Sequence, residues 1–249
     1  VPINQVFRRF QPRPFTTLVT LALLALLVSL GRWQLRRADE KQQLYDAFAA
    51  GTESTTLVAG TTPPLRRFRH VEARGRYDPA RQVLIDNMAN VTGRVGYFVI
   101  TPFALSGGGW LLVNRGWVPL GESRAARPDV AVGAGERVIH GRIDQLPSPG
   151  LRMGRPAPLV PPFPVVATFP TRVDLGELLH ETAWTAAGDS LLLDAADPDG
   201  YARDWLPPGM APMRHTAYAV QWFALAAALA VLYVKANLSR SAPRGEPAA

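Results

Sequence analysis

Phe15-Thr-Thr-Leu-Val-Thr-Leu-Ala-Leu-Leu-Ala-Leu-Leu-Val-Ser-Leu30 lies in a window without charge that runs from Arg13 to Arg32. A helix rises about 1.5 Å per residue, so the window reaches about 25–30 Å, the thickness of a bilayer's hydrocarbon. Arg8, Arg9 and Arg13 in front of it would also serve a signal peptide. A small-x-small cleavage site would then end the window, but the chain continues there as Ser29-Leu-Gly-Arg-Trp-Gln34. The reading is a retained anchor, a transmembrane helix over residues 15–33 behind an N-terminal tail (1–14). A second uncharged window, Thr216-Ala-Tyr-Ala-Val-Gln-Trp-Phe-Ala-Leu-Ala-Ala-Ala-Leu-Ala-Val-Leu-Tyr-Val234, predicts a second span over 215–234 with a C-terminal tail (235–249). Tyr218, Trp222 and Tyr233 suit the headgroup level. The many alanines let a neighbouring helix approach closely.

Two spans return both termini to one side. Which side is not set by charge: Arg8, Arg9 and Arg13 are balanced by Arg32, Arg36, Arg37 and Lys41. Lys235, Arg240 and Arg244 stand against Arg203 and Arg214. The composition of the 249-residue chain agrees with apolar spans plus a polar remainder, since 47% hydrophobic and 19% charged residues exclude a disordered chain. The absence of cysteine removes disulfides, thiolate metal sites and thiol redox chemistry. Net charge is +7, but only Lys41 and Lys235 are lysines and the arginines are spread along the chain. This reads as a generally basic surface, with no nucleic-acid partner.

Residues 34–214 form the extramembrane domain. Leu35, Ala38, Tyr45 and Phe48 predict a helix over 35–50 continuing out of the first span. Residues 51–64, rich in Gly, Thr and Pro, read as a loop. Residues 68–77 read as a half-buried strand, with Val71, Ala73, Gly75 and Tyr77 on one face and Glu72, Arg74 and Arg76 on the other. Further strands are predicted over 82–86, 96–103, 110–118, 137–143, 164–169 and 190–194, with a hairpin loop at 106–109 and a helix over 174–182. Residues 147–164 are proline-dense and read as an extended excursion. The fold class is a membrane protein in which two transmembrane helices flank a β-rich α+β domain, a mostly antiparallel sheet or barrel-like.

Chemistry is sparse. No nucleophile elbow, P-loop or His-Glu-x-x-His occurs, and the carboxylates do not cluster, so an enzyme is not expected. His70, His140 and His180 read as structural or solvated. His215 sits where the second span meets the interface, with Tyr218 and Trp222 at i+3 and i+7 and Gln221 beside them. An ionisable group there is either functional or a headgroup anchor, and spacing alone leaves both open. Met210, Met213 and His215 together form a soft donor set that would suit copper(I).

Arg214-His-Thr-Ala-Tyr-Ala-Val-Gln-Trp-Phe223 resembles the second-span signature of the surfeit locus protein 1 family of cytochrome c oxidase assembly factors. Gly31-Arg-Trp-Gln34 with Arg37 and Lys41 resembles that family's first-span exit. Gly75-Arg-Tyr-Asp78, Gly96-Tyr97, Thr101-Pro102, Val113-Asn-Arg-Gly-Trp-Val-Pro119 and Gly141 resemble its core motifs, in the family's order. Met210-Ala-Pro-Met-Arg214 departs from the expected pattern. The resemblance implies a multi-pass protein of the bacterial inner membrane with its main domain periplasmic, or of the mitochondrial inner membrane in a eukaryote. It implies an assembly factor for a haem–copper terminal oxidase that transiently binds haem a and assists its insertion into subunit I. Other oxidase assembly factors, haem a synthase and membrane lipid are the implied partners. The family's proposed haem ligand falls on His215. Tyr218, Gln221 and Trp222 would then line the porphyrin, Trp33 and Gln34 would complete the slot, and Arg214 or Arg115 would pair with propionates. A cofactor-free scaffold for unfinished oxidase subunits and a Met/His copper(I) carrier are the alternatives. Arg115, Gly116 and Trp117 are expected to close a strand, with Gly116 giving a bend or a close approach.

Overall fold

The structure, a computed structural model, describes residues 10, 12–50, 54–57, 64–121, 126–148 and 158–238. Most of both tails, much of the 51–64 loop and the middle of the 147–164 excursion lie outside them. Along the chain run helix α1 (Pro14–Ala50), strands β1 (Thr55–Thr56), β2 (His70–Tyr77), β3 (Val83–Ala89), β4 (Val95–Leu105), β5 (Trp110–Pro119), β6 (Glu136–Asp144) and β7 (Val165–Ala167), helix α2 (Arg172–Leu179), strand β8 (Ser190–Leu193) and helix α3 (Pro212–Asn237). The chain divides into a sheet unit, Asp46–Pro207, and a helical unit made of Val1–Tyr45 with Pro208–Ala249.

In the helical unit, α1 and α3 are both long and apolar enough to cross a membrane, with 18-residue windows of mean hydropathy 2.0 and 1.8. The predicted exit helix over 35–50 is the continuation of the first span, so one 37-residue helix serves both. The shielded positions of α1 recur in steps of three and four: Thr17, Thr20, Leu24, Leu27, Gly31, Gln34, Ala38. On α3 the set His215, Ala219, Trp222, Ala226, Leu229, Tyr233 does the same, with Phe223 and Ala230 shielded beside it. A 3.5-residue repeat keeps one seam facing a partner helix. Thr17 meets Tyr233 through a 2.6 Å hydrogen bond at one end, and Lys41 donates to the Pro208 carbonyl (3.1 Å) at the other, so the pair is antiparallel.

In the sheet unit the strand order is β1-β2-β6-β8-β5-β4-β3-β7, and a further pairing of β2 with β4 closes β2, β6, β8, β5 and β4 into a five-stranded barrel. Most pairs are antiparallel; the parallel ones, β1–β2, β3–β7 and β5–β8, are short. Strand β4 makes closure possible by changing neighbour along its length. Its first half pairs with β3 (Val83↔Ile100, Ile85↔Phe98) and its last residues pair with β2 (Gly75↔Leu105, Tyr77↔Phe103). Pro102 stands at the handover, where its missing N–H interrupts neither ladder, and its carbonyl accepts from the Asp78 N–H.

The barrel interior is filled from alternate residues: Val71 and Ala73, Phe103 and Leu105, Leu111 and Val113, Ile139 and Ile143, Leu191 and Leu193. A second core packs Val83, Ile85, Ile100 and Leu112 against Leu175, Leu178 and Leu179 of α2. That helix starts at a capping box: the Asp174 N–H donates to Thr171 Oγ1 (3.2 Å), and the Thr171 N–H donates to Asp174 Oδ2 (2.7 Å). It ends at His180, which is in left-handed conformation. The cap at Thr171 and the turn at His180 thus set the helix slightly earlier than the 174–182 span predicted from its leucines. Thr55 and Thr56, read as loop, add a two-residue strand beside β2, too short to carry a periodic signal.

One barrel mouth is polar. Leu111, Val113 and Arg115 share the inward face of β5, and this alternation carries Arg115 inside, where it is 3% exposed. Its guanidinium donates to Gln82 Oε1 (3.0 Å) and to the carbonyls of Val130 (2.9 Å), Ala131 (3.2 Å) and Asp199 (2.7 Å). Arg137 binds the Asp199 carboxylate and the Gly133 carbonyl. The two guanidinium carbons lie 5.7 and 5.4 Å from the Tyr77 ring centre. Burial, then the charges of Asp197 and Asp199, push the Tyr77 phenol well above its ordinary value. Beside this plug, Gly116 has φ +110°, and a Cβ there would lie 2.7 Å from the Ala202 carbonyl oxygen.

Gly116→Ala is therefore expected to destabilise the chain by about 1–3 kcal/mol, through left-handed strain and the displaced 202 segment. The check is the thermal midpoint of the detergent-solubilised chain, and an unchanged midpoint contradicts the assignment. Asp197 supplies a pH-dependent test. Burial raises its carboxyl above the ordinary value, with the Asp199 charge adding to the effect. A raised carboxyl makes the folded state bind protons more tightly than the unfolded one, so this group's contribution to stability falls as pH rises out of the ordinary carboxylate range. Asp197→Asn should gain stability relative to the parent between about pH 4 and neutrality, and converge with it below. Melting curves of both chains across that range measure the difference.

Candidate functional site

Near one end of its apolar seam the helical unit holds a polar side-chain contact. Gln34 on α1 and His215 on α3 are both half-buried, and His215 Nδ1 lies 2.8 Å from Gln34 Oε1. Three residues before Gln34, Gly31 receives the Phe223 ring: a Cβ at Gly31 would lie 2.6 Å from it. Ala38 on α1 and Ala219 and Ala226 on α3 are buried along the same seam. Small residues let helix backbones approach, and close approach brings a glutamine side chain within reach of the imidazole.

With Gln34 Oε1 as acceptor, the Nδ1 of a neutral His215 carries the proton and Nε2 carries the lone pair. Among the described residues Nε2 has no hydrogen-bond partner. Within two residues of the pair stand Arg32, Arg36 and Arg214, all exposed and none bonded to a carboxylate among the described residues. Arg37, by contrast, is paired with Glu40 at 2.5 Å. The site therefore combines a fixed imidazole, a free ring nitrogen, and unengaged guanidiniums at the end of an apolar span. Such groups suit a ligand with a metal centre, carboxylates and a greasy body.

The residues singled out in the sequence separate into three groups. His215, Gln34 and Trp222 occupy the seam, and Trp222 is half-buried there. Trp33 (48% exposed) and Tyr218 (44% exposed) face outward beside the pair, as do Gln221 and Arg214. Tyr218, expected on the His215 face, gives that place to Ala219, because the close approach of α1 admits only a small side chain. Arg115 belongs to the sheet unit, where four of its five N–H donors are engaged inside the barrel mouth. Met213 is 81% exposed and sits two residues from His215, about 200° around the helix, so the two cannot close on one ion. Gly31 and Phe223 both lie in the span motifs, but sequence reasoning misses their contact. The three-four spacing of shielded positions on both helices is the signal that could have found it.

The other histidines are engaged in the sheet unit: His70 Nε2 lies 2.5 Å from Asp194 Oδ2, His140 lies 3.4 Å from Glu72, and His180 caps α2. Among the described residues, no three of the His, Cys, Asp and Glu side chains gather as a metal site.

The model of the SURF1 family matches residues 21–227. A SURF1-like protein of Rickettsia conorii is 25% identical over 228 residues, covering 88% of this chain and 90% of that protein. A SURF1-like protein of Rickettsia felis is 29% identical over 103 residues, 41% of this chain and 46% of the relative. Surfeit locus protein 1 of Takifugu rubripes is 31% identical over 117 residues, 40% of this chain and 49% of the relative. The last two matches thus span about half the length of those relatives.

The seam makes its own prediction. Gly31→Leu drives a side chain into the Phe223 ring, and overpacking of this kind costs about 1–3 kcal/mol. The thermal midpoint of the solubilised chain should fall by several degrees, while Leu26→Ala, on the exposed face of the same helix, should leave it nearly unchanged.

Proposed function

We propose that this chain, which belongs to the SURF1 family, is a non-enzymatic assembly factor for a haem–copper terminal oxidase that holds haem a as cargo beside the Gln34–His215 contact and assists its insertion into subunit I. The observation that carries the reading is the orientation of His215: its ring is tied to α1 through Nδ1, and its Nε2 is left free. Iron needs such a nitrogen lone pair. The lipid-like tail of haem a favours a carrier at the bilayer, and a propionate would find the unengaged guanidinium of Arg214 beside His215, with Arg32 and Arg36 at the same end of the helix pair but about 200° around α1 from Gln34. Trp33, Tyr218 and Trp222, all within two turns of the pair, offer aromatic faces for the macrocycle. Subunit I, other assembly factors and haem a synthase are the partners this reading requires. The compartment it requires is the bacterial inner membrane with the sheet unit in the periplasm, or the mitochondrial inner membrane in a eukaryote.

A single imidazole and a few interfacial arginines make a modest grip. That suits a protein that must surrender its cargo, since release rate falls as affinity rises. A second reading, a cofactor-free scaffold, draws on the outward face of α3, where Ala217, Ala224, Ala227 and Ala228 are exposed and would let a helix of an oxidase subunit lie close. The copper(I) reading finds no support in the placement of Met213.

The two readings part on His215→Ala. Full-length chain purified from membranes of cells that make haem a should show a Soret band, and the alanine variant should lose it while keeping its thermal midpoint within a few degrees. In a strain carrying only the variant, oxidase activity should fall severalfold. Full oxidase activity with the Soret band gone would favour the scaffold.

A further inference from the structure

The Gln34–His215 contact decides more than where the imidazole sits. A neutral imidazole carries one proton, and in water it prefers Nε2 for it, the nitrogen this site leaves open. The side-chain oxygen of Gln34, 2.8 Å from Nδ1, is an acceptor and stabilises the other tautomer. Neither side chain has another hydrogen-bond partner among the described residues. Both occupy seam positions otherwise held nearby by Gly31, Ala38, Ala219 and Trp222. Both are half-buried, and the contact gives each its partner within the helix pair.

We infer that Gln34 is a positioning residue for iron ligation: by accepting the Nδ1 proton of His215 across the helix pair, it turns the Nε2 lone pair outward. The inference rests on the haem-handling reading above. It differs from an expectation that Gln34 lines the haem slot, because Gln34 acts through His215. It also has a consequence for unloading. The acceptor and the ligand belong to different helices, whose approach depends on Gly31 admitting Phe223. Parting α1 from α3 would remove the acceptor, and with it the contact that favours the proton on Nδ1 and makes Nε2 the better donor. Ligand strength is thus linked to helix pairing, and a partner that separates the helices lowers the grip on the cargo without touching it.

The first measurement needs no haem. Full-length chain labelled with 15N-histidine, in lipid nanodiscs at a pH where imidazoles are neutral, should show His215 protonated at Nδ1 and bare at Nε2, the resonance being assigned by its loss in His215→Ala. Gln34→Leu should move the proton to Nε2, and Gln34→Glu, which keeps an acceptor, should not. Gly31→Leu should reproduce the Gln34→Leu shift with Gln34 in place. With haem added, Gln34→Leu should weaken retention about 10–100-fold, the usual effect of removing an outer partner of a ligating histidine. Gln34→Glu should retain haem and lower its reduction potential, because a carboxylate acceptor makes the imidazole a stronger donor. A His215 already protonated at Nε2 in the parent chain overturns the inference. So does a Gln34→Leu chain with unaltered tautomer and haem retention. Haem retention that survives His215→Ala sinks the haem-handling reading instead, and leaves the tautomer result to stand or fall alone.

Discussion

One amide–imidazole hydrogen bond within an apolar helix pair organises the helical unit. In water a glutamine and a histidine would gain little by meeting, because each is already solvated. In a seam whose neighbouring positions are apolar, half-burial of both groups makes the same bond worth more. The pairing of α1 with α3 therefore has a register, set by Gln34 against His215 and reinforced by Phe223 seated on Gly31. A purely apolar seam of the same spacing would tolerate sliding, since neighbouring registers bury similar side chains; a buried polar pair penalises every register but one.

The sheet unit uses the same device on a different scaffold. A five-stranded barrel is narrow enough for side chains to fill, and apolar residues from alternate strand positions do so. At its polar mouth Arg115 and Arg137 bracket the Tyr77 ring and gather carbonyls from the 130–135 segment and from Asp199. These segments have no regular partner of their own, so the guanidiniums serve as the missing half of their hydrogen bonding. Arginine suits the task because its fork offers five donors in a plane. The motifs Gly75-Arg-Tyr-Asp78 and Val113-Asn-Arg-Gly-Trp117 owe their composition to closing and plugging a barrel.

Much of this is legible in the sequence where the signal is local. Strand β2, expected over 68–77, runs His70–Tyr77, because Val71, Ala73 and Tyr77 alternate with charged residues and the buried face is visible without knowing what covers it. Both long helices are legible from uninterrupted apolarity. Barrel closure is not, because Gly75↔Leu105 joins strands whose pairing depends on β4 changing neighbours at Pro102, and no short window contains that information. Arg115 shows a signal present but outweighed: Leu111, Val113 and Arg115 alternate on one face of β5, yet an arginine reads as surface until a ring of carbonyl acceptors is known to surround it. At the candidate site His215 stands out by its place at a span end, and Gln34 only as a companion at the exit of the other span. Their direct contact, across 181 positions of sequence, comes from the superposition of two heptad patterns, and neither pattern has meaning until the other is laid beside it.

A carrier faces opposing demands, to keep a cargo from solvent and to let it go. Affinity stored in many direct contacts is lost only by breaking them one after another, which slows release. Affinity stored in the geometry of one ligand can be withdrawn in a single step by whatever holds that geometry. Read as the proposed haem carrier, the helical unit would be of the second kind. Nε2 is the one fixed donor among the described residues of the site, the arginines around it are exposed, and the orientation of the ring belongs to a residue on the opposite helix. If the proposed haem cargo is ligated by Nε2, a protein that competes for either helix would also act on that nitrogen. The exposed alanines of α3 would let a helix of such a proposed client lie close. On the proposed haem-carrying reading, docking of a client helix and release of the cargo would be the same physical event, because both part α1 from α3.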